Sequence, residues 1–554
     1  MEKYDDKFFF CNMSNIANMS SKKSAKNKST IKPTGAYTSK LPKCRDLVYL
    51  DNNATTIICK DARDVMMAWQ ECYNPSSDSK ISKSARAIMI KAKEYILRHC
   101  GLTEESHYAL FTSGATESNC TILRATIDAY RKMRGVIPHI ITSAVEHHSI
   151  LECLHIMKDN DLVEYTLVQP TPEGSIKPRL VEAAIQPNTC LITIIYANNE
   201  LGTINNVKAI GEIAHKHSIP MHTDAVQLFG KTRIFMDSIN VDAMSVSFHK
   251  LYGPKGIGLL LVSKKLIEGY QIHAIIAGSQ QNGLRGGTEN VPSIAASLTA
   301  LQWVFKNREK KNKHLKAMRT YVIDALSKEW NRVPYLDFIT VCNIKEPFKS
   351  ILYTDNLNNT KQEKKTKVDI VSDIGVVNGG TLGSNISDTL NTQHQQFEQE
   401  QNREQKQDID TDEAEEEMPV GATHQGSLRG TPVRPKPIFV ILGPHESELT
   451  RYLPNTILIA IVNPQELPAY STRIGIEQFC NVKLKKALDK ANVVVSIASA
   501  CLTASDKASH VLTAIGAPSF IKRGVIRISF GDQNTMEQVK DFVEKLKQAV
   551  YKQI

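Results

Sequence analysis

The sequence predicts an α/β fold, with a large, mainly parallel sheet covered by helices on both faces and a smaller C-terminal α+β domain. Three observations predict it. Short apolar runs alternate with helical patterns from residue 47 to about 300. A helical stretch follows over 301–340. Apolar patterning then returns at Pro437-Ile-Phe-Val-Ile-Leu, after a long polar interval, and continues to the end of the chain.

In chain order, residues 1–46 are polar after Phe10 and carry no acidic residue between Asp6 and Asp46. They are predicted to be a disordered basic arm or a transit segment, rich in Lys and Ser. Residues 47–300 form the large domain. Its predicted strands are Tyr108–Thr112, His139–Thr142, Cys190–Tyr196, Pro220–His222, Ala243–Phe248 and Ile257–Val262, and its predicted helices include Thr116–Arg131 and Val207–His217. Residues 301–344 and 437–554 form the small domain, ending in a helix over Thr535–Tyr551. Between them, 345–436 is rich in Asn, Gln, Thr, Lys, Asp and Glu, which reads as a low-complexity insertion and a solvated spacer.

Composition narrows the class. The 554 residues are 42% hydrophobic, ample for a large core. The formal net charge of +10 is uneven, with a basic stretch at 20–32 and an acidic one at 398–417. No motif reads nucleic acid, so the basic excess is read as a solvated tail. Eleven cysteines without a CxxC pair indicate reduced thiols. No apolar run reaches the roughly 18–20 residues of a membrane helix. No residue spacing suggests a metal site.

The chemistry concentrates at Ser245-Val-Ser-Phe-His-Lys-Leu-Tyr-Gly-Pro-Lys-Gly-Ile-Gly. Lys250 ends an apolar run and opens a glycine-rich turn, with Ser247 and His249 close by in sequence. An imine-forming lysine wants a rigid, partly dry mount and neighbours able to bind phosphate, which is what pyridoxal phosphate requires. A solvated lysine at a strand end fits the segment taken alone. Phe111-Thr-Ser-Gly-Ala-Thr-Glu-Ser-Asn follows a strand and opens a helix, a natural anion site or an ordinary N-cap. Asp224 lies just past a short strand, able to pair with a pyridine nitrogen or to cap a helix. Ala144-Val-Glu-His-His-Ser-Ile offers a histidine for stacking on a ring, or a structural one.

The order of the segments carries more than any one of them. Leu50-Asp-Asn-Asn-Ala-Thr-Thr, Asn74-Pro-Ser-Ser, Thr112-Ser-Gly-Ala-Thr-Glu-Ser-Asn and Val145-Glu-His-His come first. Ala197-Asn-Asn-Glu-Leu-Gly, His222-Thr-Asp-Ala-Val-Gln and the Lys250 turn follow. Leu284-Arg-Gly-Gly-Thr-Glu-Asn, Ser496-Ile-Ala-Ser-Ala-Cys and Ile526-Arg-Ile-Ser-Phe-Gly complete the series. In this order they resemble the cysteine desulfurases, the NifS-like branch of the class V aminotransferases, over about 47–340 and 437–550.

The resemblance implies a pyridoxal-phosphate transferase of fold type I that turns L-cysteine into L-alanine. Lys250 would bond the cofactor. Ala115, Thr116, Ser247 and His249 would hold its phosphate, with Thr288 serving the neighbouring subunit of a homodimer. His147 would stack on the ring and help move protons, and Asp224 would pair with the pyridine nitrogen. Asn199 and Gln227 would contact the ring and its oxygen. Arg527 would clamp the substrate carboxylate, and Cys501 would take the sulfur as a persulfide for iron–sulfur cluster assembly, tRNA thiolation or another acceptor protein. With the acid-free arm, the resemblance also suggests the mitochondrion, the cytoplasm being the alternative. A selenocysteine lyase, another class V enzyme and a non-catalytic interaction scaffold are the competing readings.

The chain departs from the family pattern in three places. Ala498-Ser-Ala-Cys replaces Gly-Ser-Ala-Cys, Ala277-Gly-Ser-Gln-Gln-Asn lacks two charges, and Ser79 and Ser82 stand where a histidine and a glycine are usual. None of these removes a residue with a chemical role.

Overall fold

The computed structural model describes residues 47–335, 338, 436–444, 451–463, 479–497 and 509–553. The predicted arm, the insertion and Cys501 lie outside the described residues. The described residues belong to one compact unit.

The strands are β1 (Val48–Tyr49), β2 (His107–Thr112), β3 (His139–Ser143), β4 (Glu164–Val168), β5 (Thr189–Thr193), β6 (Met221–Asp224), β7 (Ala243–Ser247) and β8 (Gly258–Ser263). They continue with β9 (Asn331–Pro334), β10 (Ile438–Leu442), β11 (Thr456–Val462), β12 (Val493–Val494) and β13 (Val525–Ser529). The large sheet has the order β2-β8-β7-β6-β5-β3-β4. Only β8 runs against its neighbours, β7 and β2, so the sheet is mainly parallel as predicted. A four-stranded sheet, β13-β11-β10-β9, lies later in the chain, and β1 pairs with β12.

Strands β7, β8, β10 and β11 are buried at every position. Burial of both faces needs near-continuous apolar runs such as Gly258-Leu-Leu-Leu-Val-Ser and Ile438-Phe-Val-Ile-Leu. The runs of β7, β8 and β10 are singled out from the sequence, whereas Thr456–Val462, equally buried, is not. Strand β4 was not predicted, because Glu164-Tyr-Thr-Leu-Val is an edge strand with one exposed end and only two buried positions. The predicted strand Cys190–Tyr196 stops at Thr193, where the chain turns out of the sheet towards Asn199.

The helix expected over 301–340 spans Val291–Ser327 instead, and β9 follows it. Its start is set by the Asn290 side chain, which accepts the Ser293 N–H at 3.2 Å, and by Pro292 in the first turn. The last helix, Met536–Tyr551, begins with a reciprocal capping box between Thr535 and Gln538.

One apolar cluster runs through both sheets, joining Ile141 and Val246 to Leu442, Leu458 and Val525. Phe248 is fully buried in it, one residue before His249. Phe248→Ala is expected to cost about 3–5 kcal/mol, the usual loss for a buried phenylalanine, measured as a lowered denaturation midpoint. Because the same turn carries Lys250, cofactor affinity is expected to fall with it.

Candidate active site

Most of the candidate side chains stand at strand ends and helix starts. Asp224 ends β6, and Ser247 ends β7, from which a single helical turn, Phe248–Lys250, delivers Lys250. Ala115 and Thr116 open the helix Ala115–Arg134 just after β2, and His147 caps the helix His148–Asp159 just after β3. Arg527 comes from β13 in the other sheet. Together these residues line one cavity of about 440 Å³, in the size range of small-molecule sites.

Of the residues the sequence singled out, Lys250, His147, Ala115, Thr116, Asn199, Asp224, Gln227, Ser247, His249 and Arg527 all line this cavity. Thr288 is exposed and does not. Cys501 is not described, but the chain is described up to Ile497 and again from Ser509. Ser496 exchanges backbone hydrogen bonds with Arg527 at 2.6 and 3.1 Å, and His510 lines the cavity.

The segment 50–56 ties the two sheets together at this cavity, a role the sequence did not disclose. Asn53 Nδ2 donates to Thr456 Oγ1 at 2.8 Å and to the Asn199 carbonyl at 2.9 Å, and its Oδ1 accepts from Asn455 at 3.0 Å. The Lys250 Nζ donates to the carbonyls of Asn53 and Ala54 at 2.5 and 2.6 Å, and Gln227 Nε2 reaches the same Asn53 carbonyl at 3.1 Å. Thr56 binds the His249 carbonyl through its N–H and its hydroxyl, both at 2.9 Å. The Leu50-Asp-Asn-Asn-Ala-Thr-Thr motif was visible in the sequence, but only contacts with residues some 200 and 400 positions away give it a task.

The helix start at Ala115 is braced from both sides. Glu117 accepts the Ser113 N–H at 2.7 Å and meets Arg285 through two bonds of 2.9 and 3.2 Å. A Cβ at Gly258 would fall 2.4 Å from the Gly114 backbone, so only glycine lets β8 support this turn so closely.

Asp224 is 4% exposed, and its carboxylate accepts from Asn119 Nδ2 at 2.9 Å and from the Val226 N–H at 3.0 Å. Arg527 is 1% exposed, with Nη2 on Asp51 at 2.6 Å and Nη1 on the Asn199 carbonyl at 3.2 Å; its Nε has no protein partner among the described residues.

Electrostatics follow burial. His147 is held below the usual histidine range, chiefly by burial; Asp224 opposes this, and Lys250 and His148 add to it. His249 is lowered to about 4 by burial and by the Lys250 and Lys255 ammonium groups. Glu146 is pushed up to about 8 by full burial, which the bonds from Ser143 and the Ile195 N–H to Oε1 only partly oppose; Oε2 has no partner among the described residues.

Since the Glu146 folded value lies above its ordinary 4.5, its contribution to stability is complete below about 4.5 and is lost as pH rises towards about 8. Glu146→Gln keeps an acceptor for both bonds and does not ionise. The variant is expected to lose less stability than the parent between pH 5 and 8, as read from denaturation midpoints at several pH values.

The cavity combines a lysine amine, a buried carboxylate, a helix start framed by small residues and an arginine fork. This donor set fits pyridoxal phosphate: helix N–H groups and hydroxyls for the phosphate, and an anion for a protonated ring nitrogen. Fold and site thus define a pyridoxal-phosphate enzyme. The aminotransferase class-V family matches residues 48–337, and the chain belongs to that family.

Relatives agree. The chain is 37% identical to "Cysteine desulfurase IscS" of Dictyoglomus turgidum over 284 residues, which is 51% of this chain and 70% of that protein. It is 32% identical to "Selenocysteine lyase" of Bos taurus over 318 residues, covering 52% and 72% of the two chains. Among solved structures, a "NIFS-LIKE PROTEIN" superposes with a TM-score of 0.61 over 91% of this chain and 99% of its own; at 24% identity this likeness speaks for the fold.

Proposed function

We propose that the chain is a cysteine desulfurase, converting L-cysteine to L-alanine and keeping the sulfur as a persulfide on Cys501. The observation that carries this reading is the convergence of Lys250, Asp224, His147 and Arg527 on one cavity, beside the two chain ends that flank Cys501 in sequence. The desulfurase relative supports it.

Bound pyridoxal phosphate supplies a covalent handle for the substrate amine and a sink for the electrons left at its α-carbon. The chain's residues do the rest. Ala115, Thr116, Ser247 and His249 hold the phosphate, Asp224 the ring nitrogen, and Asn199 and Gln227 the ring edge. Arg527 places the substrate carboxylate; two of its five N–H groups are engaged by Asp51 and Asn199, which leaves one further N–H on each Nη to meet it. The Lys250 amine takes the α-proton, while the Asn53 and Ala54 carbonyls fix its position. The Cys501 thiolate then attacks the substrate sulfur; the carbon–sulfur bond breaks, its electron pair stays with the carbon skeleton, and protonation there yields alanine.

Thr288, exposed and outside this cavity, suits a contact with a second copy in a homodimer. The persulfide would pass to an acceptor protein of cluster assembly or tRNA thiolation. The acid-free arm supports a mitochondrial destination. No helix among the described residues is long and apolar enough to cross a membrane.

The bovine relative favours selenocysteine lyase as the second reading. One experiment separates the two: purified, cofactor-loaded protein is given cysteine or selenocysteine, and alanine is measured. Cysteine turnover that Cys501→Ala abolishes is expected. If the variant kept turnover of selenocysteine alone, and the parent never used cysteine, the lyase reading would stand instead.

A further inference from the structure

His147 caps its helix with its own ring. Its Nδ1 accepts the Ser149 backbone N–H at 3.1 Å and lies 2.9 Å from Ser149 Oγ. Ser149 Oγ in turn receives Asn119 Nδ2 at 2.9 Å, and the same amide nitrogen donates to Asp224 Oδ2 at 2.9 Å. Asn119 is fully buried, and its Oδ1 has no partner among the described residues.

The protons can be placed one by one. A carboxylate only accepts, so the Asn119 face towards Asp224 is the NH₂ group; the flipped amide would set oxygen against oxygen. Its two protons go to Asp224 and Ser149. Ser149 Oγ therefore accepts from Asn119, and its single proton is left to point at His147 Nδ1. Nδ1 then faces two donors, a hydroxyl and a backbone N–H, and has no room for a proton of its own.

We propose that Asn119 and Ser149 are positioning residues that lock His147 as the Nε2–H tautomer, so that the ring presents the cavity with a proton donor and not a base. The use made of that proton rests on the desulfurase reading, in which His147 stacks on the ring and helps move protons while the task of base falls to Lys250. The tautomer itself follows from the network alone. The same Asn119 amide braces Asp224, so Asp224 and the His147–Ser149 pair share one buried support.

The groups facing His147 are Asp224 from β6, Lys250 from the turn after β7, the adjacent His148, and His510 from the helix His510–Ala514. Only Asp224 favours a charged ring, and the two donors on Nδ1 oppose it.

The test uses the full chain loaded with pyridoxal phosphate and labelled with ¹⁵N-histidine, its His147 signals assigned by their loss in His147→Gln. Nitrogen spectra are expected to show an unprotonated Nδ1 and a protonated Nε2 at neutral pH. Ser149→Ala removes one donor from Nδ1 and is expected to raise the ring's titration midpoint by about half to one pH unit, the worth of one hydrogen bond. Asn119→Ala, which frees the hydroxyl proton, is expected to move it the same way by less, and Ser149→Thr to restore it. A protonated Nδ1 in the parent, or an unmoved midpoint in Ser149→Ala, would overturn the proposal. Absence of cysteine turnover with Nε2–H intact would overturn the desulfurase reading and leave the tautomer standing.

Discussion

Lys250→Ala is expected to leave a protein without the visible absorption of the lysine–cofactor bond, and with cysteine turnover reduced by at least about a thousandfold, towards the upper range for one proton-transferring group. On the proposed function, two roles would be lost together: the covalent mount and the amine that takes the α-proton. The fold is expected to survive. The Nζ donates to two backbone carbonyls, those of Asn53 and Ala54, and both residues line the cavity of about 440 Å³, which has room for water in place of the amine. Far-ultraviolet dichroism and the denaturation midpoint should stay near those of the parent while the spectrum and the turnover disappear. Turnover that persisted in the variant would remove Lys250 from the mechanism.

The second large effect is expected at Arg527. Arg527→Lys keeps a charge but loses the planar fork, and a point charge on a flexible stem cannot hold Asp51, the Asn199 carbonyl and a substrate carboxylate at once. KM for cysteine is expected to rise about ten- to hundredfold, the loss of one charge-assisted hydrogen bond. Arg527→Ala goes further and strands the Asp51 carboxylate. Breaking a buried ion pair costs about 3–5 kcal/mol, and the lower end is expected here because the Asp51 side chain keeps 14% exposure. The Lys variant thus tests substrate placement, and the Ala variant tests the junction of the two sheets. An unchanged KM in Arg527→Lys would move the carboxylate site elsewhere.

Both results depend on a junction that the linear sequence shows only in part. Strands whose two faces are buried announce themselves, because continuous apolar runs such as Gly258–Ser263 have few other uses. The turns that follow them were legible for the same reason: Ser247, His249, Lys250 and Thr116 sit where an apolar run gives way to small and polar residues. Edge strand β4 and the early start of the helix Val291–Ser327 were not, since half-exposed strands and a cap set by Asn290 give weak periodic signals.

The amino-acid order by itself determined the class of fold and the order of the motifs, and singled out ten residues that line one cavity, because each of these is a local matter of apolar spacing and residue type. Tertiary structure alone decided that Asn53 would join the lysine turn to the β13 sheet, that Asn119 would brace Asp224 and Ser149 together, and that Arg527 would arrive beside Asp51. Those are hydrogen bonds between residues tens to hundreds of positions apart. A polar side chain looks alike in sequence whether it meets water or a buried partner, and only folding chooses between them.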